Sequence, residues 1–293
     1  MSITSALFTG VSGLLNNGEA MNVIGNNIAN VNTVGFKSSR SIFADRLSES
    51  IGNNSQVGKG VQLQTVQNLF TQGSSQGSEN VTDLSIQGNS FFALKSPVTA
   101  APVALQSGAY LSRAGAFHVD SNLYLVNPDG YQVLDTQGNP IQFATTGVAT
   151  TDFGKITKVE PNGLITYLAT DGITLNYYNT SGAAGVPALP ANMAGVQKLA
   201  VVTAADPTAL AKLGGSLYQA TTDAGVPAAA FSVAANQPNG TSEQVLSNSL
   251  EQSNVDMANE FVKMIVTQRA YSANSKTITT TDQMTQEVLG LIR

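Results

Sequence analysis

The sequence predicts an α+β protein in which long N- and C-terminal helices pair as a coiled-coil-like inner core, with a mostly β central domain. Three observations predict it. Apolar residues repeat every seven positions over the first thirty residues, a second helical pattern runs from about Val255 to Leu291, and the stretch between them carries short strand-like runs punctuated by turns.

In the first helix Leu7, Leu14, Met21 and Ile28 recur every seven, while Ile3, Ile24 and Val31 fill the companion seam beside Gly10 and Asn17. Glu19 is the one charged side chain before Lys37, although a surface helix ordinarily carries a charged outer face. Gly10, Gly13, Gly18 and Gly25 each cost roughly 1 kcal/mol relative to Ala, about 4 kcal/mol that packing must offset. This helix is therefore expected to be surrounded by protein and largely unfolded alone.

The second helix opens at Ser253-Asn254-Val255-Asp256, with Ser253 expected to cap and Asp256 to sit in the first turn against the helix dipole. Val255, Ala258, Val262 and Ile265 form one apolar stripe. Ala270, Ala273, Thr277, Thr280, Met284, Val288 and Leu291 continue it after a shift of phase. The middle of the chain offers no comparable helical partner, so the two ends are expected to pack together.

Between them, 91–94, 123–126 and 131–134 are strand-like, with Asn127-Pro128-Asp129-Gly130 a hairpin turn. A three-stranded meander follows at 155–159, 164–169 and 173–178. Residues 180–195 and 220–240, rich in Ala, Gly and Pro, are expected to be loops.

Composition excludes several functions. Hydrophobic content of 42% fits a globular core, but only 11% of residues are charged, and 14 Lys and Arg under a net charge of −5 form no basic patch, so no nucleic acid is expected as a partner. Without cysteine there is no disulfide framework, thiolate site or Cys nucleophile. The first residues lack a cationic segment leading into an apolar core, so no cleaved signal peptide is expected, and no run is long and apolar enough for a membrane span. His118, the single histidine, rules out a two-histidine metal site and is expected as a partly exposed strand residue. Val57-Gly58-Lys59-Gly60-Val61 lacks the spacing of a phosphate loop and suits a turn. Asp129 and Asp135 are expected to be turn formers. No catalytic residue, metal, cofactor or small-molecule substrate is expected.

The stretch from Asn26 to Arg40 (NNIANVNTVGFKSSR) resembles the N-terminal signature of the flagellar rod and hook family, through Asn26, Asn27, Asn30, Gly35, Phe36 and Lys37. Further blocks agree: NLFTQG at 68–73, DLSIQGNSFF at 83–92, LSRAGAF at 111–117, LEQSNVD at 250–256 with Ser253, Asn254 and Asp256, and IVTQRAY at 265–271. The resemblance implies a structural subunit of the bacterial flagellum, not an enzyme. Such a subunit leaves through the flagellar type III export apparatus and polymerises with itself. Its other partners would be adjoining rod, hook or hook–filament junction proteins and the hook cap. It also implies the domain order: 1–33 with 253–293 as a helical inner core, 34–75 as an extended linking segment, and 76–252 as a mostly β outer domain. Leu7, Leu14, Met21, Ile24, Ile28, Val262, Ile265, Met284, Val288 and Leu291 are the expected polymer interface.

Within the family, Lys37-Ser38-Ser39-Arg40 followed by Phe43-Ala44-Asp45 has hook-like wording, and the stretch from Phe43 to Val61 is short for a distal-rod protein. Little room between Gln142 and Asn192 for an extra outer β domain speaks for rod. The expectation is an extracellular hook subunit, with a distal-rod subunit of the basal body, in the periplasm, as the alternative.

Overall fold

A computed structural model of the chain describes residues 3–46, 49–52, 55–98, 108–143, 153–179, 185–188, 196–226, 231, 236–241 and 243–291. It is α+β, with two compact units: Met1–Val31, Ser38–Leu69 and Val255–Arg293 form the first, Asn32–Lys37 and Phe70–Asn254 the second.

The first unit holds both long helices, α1 (Ile3–Ala29) and α2 (Met257–Leu291), the latter of 35 residues and hence about 52 Å long. They run antiparallel. Gly10 lies against Ile278 and Gly13 against Asn274, while Asn27 bonds Glu260. The buried positions of α1 are Gly10, Gly13, Ala20, Ile24 and Asn27, a seam of mostly small residues spaced by three, seven, four and three residues.

This corrects one row of the expected seam, since Gly10 and Ile24 of the companion row are buried as expected. Leu7, Leu14, Met21 and Ile28 are half-buried flanks, because the backbones approach too closely for large side chains between them. An added Cβ would stand 3.0 Å from Ile278 Cγ1 at Gly10 and 2.7 Å from Asn274 Nδ2 at Gly13. At Gly18 and Gly25 it would meet nothing within 4 Å, so close approach accounts for only two of the four glycines.

Asp256, not Ser253, caps α2: its Oδ1 accepts from the Ala258 amide at 2.9 Å and the Asn259 amide at 3.3 Å. Threonines along the helix satisfy their hydroxyls by donating back to carbonyls one turn earlier, as from Thr277 to Ala273 at 3.1 Å and from Thr281 to Thr277 at 2.7 Å.

The unit is completed by a β-ribbon. Ser39–Asp45 pairs antiparallel with Val61–Asn68 through a bulge between Ile42 and Phe43, and Glu49–Gly52 pairs with Ser55–Val57 farther along. A two-stranded ribbon is marginal alone. It is tied to α1 where Asn16 Nδ2 donates to the Val61 carbonyl at 2.9 Å.

In the second unit Phe91–Lys95 is the central strand, pairing with Ala109–Ser112 on one edge and with Gln132–Val133 and Val201–Val202 on the other. Phe92 and Leu94 face a cluster with Leu84, Ile86, Phe117 and Tyr167, whereas Phe91 and Ala93 face one with Leu111, Leu210 and Tyr218. Burial on both faces explains why this strand is a continuous apolar run. The hairpin turn closes where the Gly130 amide donates to the Asn127 carbonyl at 3.0 Å. The meander forms at Phe153–Val159, Ile165–Ala169 and Leu175–Tyr177, with Val186–Pro187 added at its edge.

Residues 34–75 divide: 38–69 pack in the first unit, and 34–37 with 70–75 in the second. The expected loop at 180–195 lies largely outside the described residues, and that at 220–240 lies partly outside them. Within them, Val186–Pro187 is a strand and Thr222–Ala224 a short helical turn.

Candidate assembly surface and its buried supports

α2 packs through Glu260, Asn274 and Ile278, and Val262, Ile265, Met284, Val288 and Leu291 are exposed; Val262 and Ile265 lie on the side away from that row, whereas Val288 stands in line with Glu260, Asn274 and Thr281 near the end of the helix. Ile265 is 56% exposed and Leu291 86%. Phe8 and Leu15 are exposed on α1, as are Phe261 and Val266 on α2. Of the expected interface residues Ile24 alone is buried, on the α1 face that carries Gly10, Gly13 and Asn27.

The Asn27 side chain is 2% exposed and serves as a surrogate strand for the ribbon. Its Nδ2 donates to the Ser39 carbonyl at 2.7 Å and its Oδ1 accepts from the Ser39 amide at 2.9 Å. The second Nδ2 hydrogen goes to Glu260 Oε2 at 3.0 Å, and Glu260 Oε1 accepts from Lys263 Nζ at 2.6 Å. One amide thus fastens α1, α2 and the ribbon at a single point, with every polar atom satisfied.

A second support lies inside the β unit. Lys37, fully buried, donates from Nζ to Glu251 Oε1 at 2.7 Å and to the Thr71 carbonyl at 2.7 Å. Glu251 Oε2 accepts from Arg113 Nη1 at 3.2 Å, and its Oε1 also accepts from the Gly73 amide at 2.9 Å. Arg113 Nη2 donates to the Gly88 carbonyl at 2.6 Å, and the guanidinium lies over the Phe91 ring at 5.1 Å. Two cations share one carboxylate, so Glu251 is the anion on which the cluster depends. Burial holds the Lys37 ammonium below its ordinary pKa, with the Glu251 carboxylate opposing that pull.

The remaining motif residues are local. Gly35 has φ +67°, and a Cβ there would meet the Ala114 amide nitrogen at 2.3 Å, so both conformation and space demand glycine. Phe36 is buried under the Lys212 ammonium, 4.4 Å from the ring centre. Asn30 Nδ2 donates to the Asn26 carbonyl at 2.8 Å at the end of α1, and Asn254 Nδ2 to the Thr71 hydroxyl at 2.8 Å. Ser253 is half-buried, and His118 is exposed at a strand end. Glu251, Arg113 and Glu260 were not among the expected site residues. The available signal was their charge: in a chain so poor in charged residues, Arg113 and Glu251 stand inside two of the motif blocks.

A protein whose helices close on each other through small residues and turn their large apolar side chains outward is built as a structural subunit. Two family models match: flagella basal body rod protein over residues 7–37, and flagellar basal body rod FlgEFG protein C-terminal over 246–291. The chain is 33% identical over 301 residues to the flagellar basal-body rod protein FlgG of Bacillus subtilis, covering 98% of this chain and 99% of that protein. In Borreliella burgdorferi it is similar both to the rod protein FlgG, at 29% identity over 95% of each, and to the hook protein FlgE, at 38% identity over 46% of this chain and 33% of that one. The chain belongs to the flagellar rod and hook protein family, and is a structural subunit of the flagellar axis.

Proposed function

We propose that the chain is a distal-rod subunit of the flagellar basal body, reversing the preference for hook drawn from the wording around Lys37 and the short stretch from Phe43 to Val61. The observation that carries this reading is extent: similarity to rod proteins named FlgG runs end to end, whereas similarity to hook proteins stops at less than half the chain. The helices are the polymerising part, with Val262, Ile265, Met284, Val288 and Leu291 meeting neighbouring copies. Burial of apolar area at such contacts supplies the stabilisation that their exposure in the single chain forgoes. Adjoining rod and hook proteins are its end partners, and the flagellar type III apparatus exports it.

Cryo-electron microscopy of isolated hook–basal bodies tests this. Density fitting the chain is expected in the straight rod. Its presence along the curved hook instead would restore the hook reading, and its absence from both would overturn the axial assignment.

A further inference from the structure

The first unit carries a groove of about 420 Å³ whose apolar lining includes Ala20, Val23, Ile24, Phe43 and Leu69, with Arg40 and Lys263 at its borders. Lys263 is paired with Glu260, whereas among the described residues the Arg40 guanidinium bonds the neutral Gln67 amide, at 2.7 and 3.0 Å, and no carboxylate. The groove is thus half apolar and bordered by net positive charge. Its natural occupant is an amphipathic helix with an acidic flank.

The chain itself contains one. Met284, Val288 and Leu291 stand at i, i+4 and i+7 on α2, all exposed. Glu287 flanks them, and residues 277–291 include no Lys or Arg. Antiparallel pairing sets this stripe at the other end of the helix pair from the groove. Some twenty residues of straight helix separate it from Lys263, about 30 Å, so a chain cannot fill its own groove.

We propose that the 284–291 turns of one copy dock in the groove of the next, with Glu287 facing Arg40. The proposal rests on the self-assembly reading above and names its contact. Because the two surfaces differ and lie at opposite ends, the contact is heterologous. It joins copies head to tail and does not close into a dimer.

The chain has no cysteine, so disulfide capture tests this cleanly in the full-length protein. In polymers of the Phe43→Cys/Val288→Cys variant, oxidation should give a reducible ladder from dimer upward, while either single variant stays monomeric on a denaturing gel. Glu287→Lys should lower polymer yield several-fold, and Arg40→Glu in the same chain should restore it. Polymers without a ladder, or a ladder formed instead by Phe43→Cys/Leu15→Cys, overturn this contact and leave self-assembly standing. Chains that neither polymerise nor cross-link overturn both.

Discussion

Lys37 and Glu251 are 214 positions apart in sequence, yet the ammonium donates to the carboxylate at 2.7 Å with both side chains out of water. The partner of a signature residue near the start of the chain is thus an acid in the last strand of the β unit, Ser249–Glu251. Without Glu251, two buried cations lose their shared anion.

The damage from breaking this cluster should be unequal. Glu251→Ala leaves Lys37 and Arg113 facing each other unpaired and should cost the β unit about 3–5 kcal/mol. Lys37→Met keeps the Arg113–Glu251 pair and loses mainly hydrogen bonds, so about 1–2 kcal/mol is expected. Urea denaturation followed by tyrosine fluorescence checks the order; equal losses would mean that Glu251 is not the organising charge.

The glycines of α1 should separate by what faces them. Gly18→Ala and Gly25→Ala meet open space and should each stabilise the helix by about 1 kcal/mol. Gly13→Leu drives a side chain into Asn274 and should cost about 1–3 kcal/mol of helix pairing. Thermal melts read by helical circular dichroism give all three.

Ile265→Asp places a carboxylate on the outward face of α2, where the single chain already solvates it. The monomer melting temperature should stay within a degree or so, on the order of the small effects typical of surface sites, while polymer yield collapses because every copy buries the charge. A sharply lowered monomer melting temperature with assembly intact would place Ile265 in the chain's own core.

Asp135 supplies a pH test. The side chain is fully buried; its Oδ1 accepts from the Gln137 and Asn139 amides, each at 2.9 Å, and its Oδ2 from the Tyr178 hydroxyl at 3.3 Å. Burial raises its pKa above the ordinary 3.8 despite those bonds. A raised carboxyl costs stability as pH climbs from that value through the folded one, and the full cost persists at neutral pH. Asp135→Asn keeps the Oδ1 acceptor and can donate to Tyr178. The variant should gain on the wild type in folding equilibrium as pH rises from about 3 to about 7, because only the wild type must ionise a buried group. Urea denaturation of both proteins across that range reads the difference. A gap in stability that does not change with pH would show that the carboxyl titrates normally.

How much was legible depended on whether a signal was local. The strand at 91–94, the Asn127–Gly130 turn and the meander from Phe153 to Tyr177 were readable because a short apolar run, strand patterning and turn chemistry are properties of neighbouring residues. Within the seam the row of Leu7, Leu14, Met21 and Ile28 was misread, because a seven-residue repeat of large apolar residues is the stronger pattern, although the neighbouring helix is held by Gly10 and Ile24 of the companion row with Gly13 and Ala20. Nothing local distinguishes a glycine that admits another backbone from one that merely weakens its helix. Strands such as Gln244–Ser247, fixed by pairing with Leu84–Gln87 and burying only Val245, carry too little periodicity of their own.

By itself, the sequence determined the class: two helical ends, a β middle, a surface short of charge, and the signature blocks that identify the family. Tertiary structure decided which helix faces meet and which turn outward, and that Asn27, Glu260, Lys37, Arg113 and Glu251 form two buried clasps. Period fixes the angle between side chains on one helix. Which of those angles is buried depends on how closely the partner backbone can approach, and that distance exists only once residues more than two hundred positions apart have met.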